Sequence, residues 1–187
     1  MDILRNYFTQ VGFKGDDLEK VIDAFTSQSF SKNDMLVTEG KTSKHIGFVE
    51  SGLFQYYVNK DGEEITSYVN TPNTWLASVK SFVNEKPSLE NIRALTDGKV
   101  FMISKSNLKD LTYTVPAFKD FYIALLEQSI SGIDESRHDL ITLTADQRYA
   151  KLLQNEPQLL QQIPLQHLAS MLGITPRHLS RIRNNLR

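Results

Sequence analysis

The segment from Leu165 to Arg187, LQHLASMLGITPRHLSRIRNNLR, constrains this chain more than any other. Its apolar residues Leu168, Leu172, Ile174, Leu179, Ile182 and Leu186 fall at the spacings of two short helices around a tight turn. Ala169 stands where the helices must cross closely, and Gly173 where the turn needs left-handed backbone. Thr175 and Pro176 pair as N-cap and first-turn residue of the second helix. Arg177, Ser180, Arg181 and Asn184, three and four apart, share its outward face. A small helix pair with a basic, hydrogen-bonding second helix is what readout of the DNA major groove requires. An αα-hairpin capping another domain, its arginines merely solvated, is the plainer alternative. It leaves the agreement of alanine, glycine and apolar positions unexplained.

Charge is distributed unevenly. The chain has a net charge of −1, yet from Thr144 onward six Lys and Arg face two acids, giving +4, while the rest carries −5. A basic end on an acidic body suits a protein that meets a polyanion at one end only. No cysteine is present, which excludes disulfides, thiolate metal sites and cysteine nucleophiles. No run of about 18 apolar residues occurs, so a membrane partner is not expected and the cytoplasm is the expected location.

The period of the pattern changes along the chain. Met1 to about Phe30 reads as helical, with Leu18, Val21, Ile22 and Phe25 at helical spacing. Short strands follow: Met35–Val37, His45–Val49, Leu53–Val58, Glu64–Val69, Asn91–Leu95 and Val100–Ile103. Asn59-Lys60-Asp61-Gly62 is a hairpin signal between two of them. Regular short strands of this kind predict an α+β chain with an antiparallel sandwich or a jelly-roll, double-stranded β-helix barrel. From Ser106 the helical period returns, and Pro116 suits the first turn of a long helix. There Ile123, Leu126, Ile130 and Ile133, continued by Arg137 and Leu140, form a coiled-coil seam that predicts a homodimer. Phe118, Phe121, Tyr122 and Leu125 form a second stripe for the chain's own core. A hinge is expected over Thr142–Asp146, then a helix over Gln147–Gln154.

Glu39-Gly40, Ile46 to Gly52, Asn91 to Thr96, Val100 to Ile103 and above all Gly173 to Ile182 together resemble the Crp/Fnr family of bacterial transcription regulators. The resemblance implies a cyclic-nucleotide-binding-like sensor barrel with N-terminal helices (1–115), a dimerisation helix (116–142) and a helix-turn-helix DNA-binding domain (143–187). It implies double-stranded DNA with an inverted-repeat operator as partner, RNA polymerase as a second, and a small-molecule effector. Arg177 and Arg181 are then the expected base contacts. Ser180 and Asn184 support them, Thr175 and Arg183 hold the DNA backbone, and His178 completes the DNA-binding set.

The departures are informative too. Relatives that bind cyclic AMP hold its phosphate with Gly-Glu at the start of a short helix and Arg-Ser or Arg-Thr at its end. Here Trp75-Leu76-Ala77-Ser78 and Ser88-Leu89-Glu90 stand at those places. The glycine, acid and arginine are all absent, so cyclic AMP is not an expected ligand. Trp75, Ser78, Ser88 and Arg93 remain candidates for a different pocket. No cofactor, metal or catalytic residue is expected. A cupin-like metal enzyme would need several histidines inside the barrel, and only His45 lies in that segment. A ligand-binding adaptor without DNA activity would need a degenerate helix pair. The chain therefore reads as a regulator rather than an enzyme.

Overall fold

Two amphipathic helices open the chain. In α1 (Asp2–Gln10) Leu4 and Phe8, four apart, are buried; in α2 (Gly15–Asp23) Leu18, Val21 and Ile22 are. The helical reading to Phe30 fails beyond this point. Thr26–Phe30 is strand β1, with Thr26 opposite Met102 and Phe30 opposite Gly98. Only Phe30 of this strand is buried, so TSQSF carries no strand alternation, and a distant partner strand supplies the ladder that decides its state. The computed structural model describes residues 1–185, apart from the side chains of residues 158 and 159. Leu186, expected to face inward, lies outside the described residues.

The remaining strands are β2 (Met35–Val37), β3 (His45–Ser51), β4 (Phe54–Lys60), β5 (Glu63–Asn70), β6 (Trp75–Leu76), β7 (Asn91–Ala94) and β8 (Gly98–Ser104). They form two four-stranded sheets, ordered β1-β8-β3-β6 and β2-β7-β4-β5. Two antiparallel sheets agree with the sandwich or jelly-roll expected, and the barrel is not closed. Of the four edge strands β6 and β2 are short, β1 is polar and β5 is long, and among the described residues no ladder joins the edges. Between β4 and β5 only Asp61 and Gly62 are left over, both at positive φ (54° and 85°), as a two-residue hairpin needs. Gly52 is irreplaceable for a different reason. At φ 87° a Cβ there would lie 2.7 Å from the Gly98 Cα and 2.8 Å from the Asp97 carbonyl oxygen.

After the strands come α3 (Val79–Asn84, between β6 and β7), α4 (Lys105–Thr114), α5 (Pro116–Thr142), α6 (Ala145–Asn155), α7 (Pro157–Gln162), α8 (Leu165–Met171) and α9 (Pro176–Asn185). The chain divides into two compact units, residues 1–55 with 70–128 and residues 56–69 with 129–187. The tip of the β4–β5 hairpin thus belongs with the C-terminal helices.

The first unit is centred on aromatic rings. Phe8, Phe48, Phe101 and Phe118 are buried together with Leu4, Val21, Ile103 and Val115, and Phe121 and Tyr122 pack against them. Phe8 meets Phe13 edge-on at 5.4 Å and Phe121 at 5.2 Å. The stripe Phe118, Phe121 and Tyr122 therefore covers the chain's own core, as its spacing predicts. The seam residues do not. Ile123, Leu126, Ile130 and Ile133 are all exposed in the single chain, the last two at 66%.

In the second unit the expected hinge contracts to Leu143 and Thr144. The cause is a capping box: the Thr144 side chain accepts from Gln147 N–H while Gln147 accepts from Thr144 N–H, which starts α6 two residues earlier than expected. Lys151 of α6 bonds both Asp139 (2.5 Å) and Glu135 (2.6 Å) of α5.

Candidate nucleic-acid interface

The helix pair is built as its sequence dictates. Leu168 and Ala169 of α8 and Leu179 and Ile182 of α9 are buried, as are Ile163 and Tyr149. Gly173 takes φ 67°; its N–H donates to Ser170 O (2.9 Å), and Ile174 N–H donates to Ala169 O (3.0 Å). That double bond pattern is a Schellman closure, and it leaves the next residues free to start α9. Thr175 does so, its hydroxyl accepting from His178 N–H at 3.2 Å.

Two residues that the sequence reading passed over hold the pair in place. Arg148 of α6 donates to Leu143 O and to Leu172 O, both at 2.7 Å, and so ties the start of α6 to the end of α8. Tyr149 is buried and accepts from Arg183 Nε at 3.2 Å, while Arg183 Nη2 donates to Leu160 O at 3.2 Å. These partners lie between 5 and 34 residues away in sequence, and apart from Leu143 all are beyond the reach of helical spacing.

The seven residues expected to touch DNA divide accordingly. Arg177, Ser180, Arg181 and Asn184 are exposed on α9, with the Ser180 hydroxyl donating back to Pro176 O. His178 is half-buried and its Nε2 lies 3.6 Å from Asp146. Thr175 serves as the cap. Arg183 is half-buried and turned toward α6 and α7. Exposed side chains at 177, 181 and 184 offer two guanidinium forks and one amide on one helical face, the donor set that reads guanine and adenine edges.

The pocket candidates do not converge. Trp75 lies among the core rings, 5.2 Å from Phe48, with its Nε1–H donating to the Tyr7 hydroxyl at 3.1 Å. Ser78 and Ser88, both buried, bond each other at 3.0 Å, and Ser88 also bonds Glu90 O. Arg93 donates to the fully buried Gln55 at 2.8 Å. Two cavities open on this unit. One of about 520 Å³ lies against Tyr7, Phe13, Phe121 and Ala124, and one of about 240 Å³ against Lys41, Lys44 and His45; none of the four candidates lines either.

Partial burial, and then the charge of Lys44, hold the His45 imidazole below its usual range. The neutral form is favoured in the fold, so the unfolded chain binds more protons just below the ordinary histidine value. Stability is expected to fall as pH drops through that window, and His45→Gln should flatten the fall in thermal melts at pH 5 to 7.

Residues 27–114 match the family model described as the cyclic nucleotide-binding domain. No curated protein sequence matches the chain. Among solved structures the chain is similar to FixK2 from Bradyrhizobium japonicum, at 18% identity over 87% of this chain and 84% of that one, with a TM-score of 0.73. A mutant of CooA from Carboxydothermus hydrogenoformans gives 19% identity, 88% and 77% coverage and a TM-score of 0.70. A protein of Eubacterium rectale ascribed to the crp/fnr family of transcriptional regulators gives 17%, 94% and 84%, and 0.65. At these identities the likeness is one of fold.

Proposed function

We propose that the chain is a DNA-binding transcription regulator of the Crp/Fnr type, active as a homodimer. One observation carries this reading. Arg177, Arg181 and Asn184 stand exposed on one face of α9, while the opposite face, Leu179 and Ile182, is buried in a closed helix pair. Residues 1–115 act as the sensor, 116–142 as the dimer helix through Ile123, Leu126, Ile130 and Ile133, and 143–187 as the DNA-binding domain. Arg177 and Arg181 contact bases, Ser180 and Asn184 assist, and Thr175 and His178 sit at the backbone. Arg183 supports the helix from within. Selection from a random duplex pool should return an inverted repeat with half-site centres about 34–36 Å apart. An adaptor without DNA activity would enrich no sequence at all.

The sensor takes no cyclic AMP on this reading. Its short helix α3 lacks the acid and arginine of a phosphate cradle, and Ser78 and Ser88 satisfy each other instead. Calorimetry should show no heat of binding at micromolar cyclic AMP. A micromolar constant would overturn this part of the proposal.

A further inference from the structure

The loop between β2 and β3 is pinned through its own backbone. Gly40 N–H donates to Ser88 O at 2.8 Å, and Ser88 N–H returns to Lys41 O at 2.9 Å. Ser43 N–H donates to the Ser81 hydroxyl at 2.8 Å, and Lys105 N–H closes on Lys44 O at 3.3 Å. Four bonds thus hold the loop, and its side chains project from a fixed frame, so little ordering would be left for a ligand to impose.

The cavity of about 240 Å³ opens on this frame. Val37 and Met102, both buried, supply its apolar lining. Lys41, Lys44 and His45 line it with Thr38 and Thr42, and no acid does. Among the described residues none of these five side chains has a hydrogen bond or ion pair. Two lysines and an imidazole without a counter-charge stand out where residues 1–143 carry −5 overall. An anion seated among them removes their mutual repulsion and gives each donor a partner. The volume sets its size. Sites for drug-sized ligands occupy about 300–1,000 Å³, so this one suits a phosphate group with a few carbon atoms at most. We propose that the β2–β3 loop binds a small phosphate dianion, free or as a short monoester, through Lys41, Lys44 and His45. The site is separate from the place where relatives hold a cyclic phosphate, since neither Ser78 nor Ser88 lines it.

Calorimetry on the full chain, in a buffer free of phosphate, uses inorganic phosphate and glycerol 3-phosphate as probes. Both should bind, and Lys41→Gln with Lys44→Gln should weaken each at least about tenfold, the worth of one charge-assisted hydrogen bond. Lys109 is exposed and does not line the cavity, so Lys109→Gln should change nothing. An equal loss in that control reduces the effect to general surface charge and overturns the site. Absence of binding by both probes overturns it too. Tighter binding of the ester, about fourfold for each methylene buried, supports the site with an organic phosphate as its ligand. Equal binding supports it with free phosphate instead.

Sulfate supplies a readout that a merely structural loop would not move, because it stays a dianion across the range where histidine titrates. Its binding should tighten as pH falls from about 8 to about 6, since a bound dianion favours the protonated His45 imidazole. The charged groups sharing the cavity with His45 are Lys41 and Lys44. Strand β8 sets uncharged Ser104 opposite it, and Lys105 beyond is paired with Glu85 at 3.4 Å. His45→Gln should bind sulfate without this pH dependence. The same dependence in the variant as in wild type overturns the site. None of these outcomes bears on DNA binding, so that reading stands or falls separately.

Discussion

Charged residues in place of Leu126 and Ile130 should leave a monomer in light scattering and abolish tight binding to an inverted repeat. Both side chains lie on the exposed seam of α5, at 37% and 66% exposure in the single chain. With Ile123 and Ile133 they make four aliphatic residues per chain, each worth roughly 1.5–3 kcal/mol when fully removed from water. Two charges in that seam would also have to be desolvated without partners. The same helix supplies its own control. Phe118 is 2% exposed in the aromatic core, so Phe118→Ala should cost about 3–5 kcal/mol of stability and leave the oligomeric state alone. A Leu126 and Ile130 variant that remains dimeric would sink the seam.

Arg181→Ala and Arg183→Ala should have opposite consequences although the residues are two apart on one helix. Arg181 is exposed, so its loss should leave thermal stability unchanged. It should relax the preferred base at one position of each half-site, at a cost of about 1–3 kcal/mol. Arg183 spends its donors on the Tyr149 hydroxyl and Leu160 O. Its loss leaves a buried hydroxyl and carbonyl short of a partner, a cost on the order of 1–3 kcal/mol of stability. It should weaken all DNA sequences alike. Random-site selection combined with thermal melts separates the two, and a changed base preference in Arg183→Ala would reverse the assignment.

The parts of this molecule written locally were legible. Gly173, Thr175 and Pro176 specify their turn within four residues, and Asp61-Gly62 specifies its hairpin within two, because φ preference and capping act over that range. The core-facing residues Phe118, Phe121 and Tyr122 of α5 were legible for the same reason, since side-chain spacing on a helix is fixed. What the sequence concealed is non-local. Thr26–Phe30 is a strand because β8 lies beside it. Arg183 faces inward because Tyr149 offers a hydroxyl 34 residues away. Thr66 meets His167 and Ser170 across gaps of 101 and 104 residues. Trp75, which spacing alone leaves open as a pocket wall, is drawn into the core by Phe48 and the Tyr7 hydroxyl.

The two-residue joint between α5 and α6 has a consequence for how such a protein can change length. Leu143 N–H still bonds Asp139 O, Arg148 holds Leu143 O, and Lys151 grips Glu135 and Asp139, so the joint has no slack to absorb an error. An insertion of one residue before it would turn everything downstream by about 100° and carry it about 1.5 Å along the axis. Three or four inserted residues would nearly restore the heading. The end of α5 therefore behaves as a screw thread: length can be gained there only in whole turns.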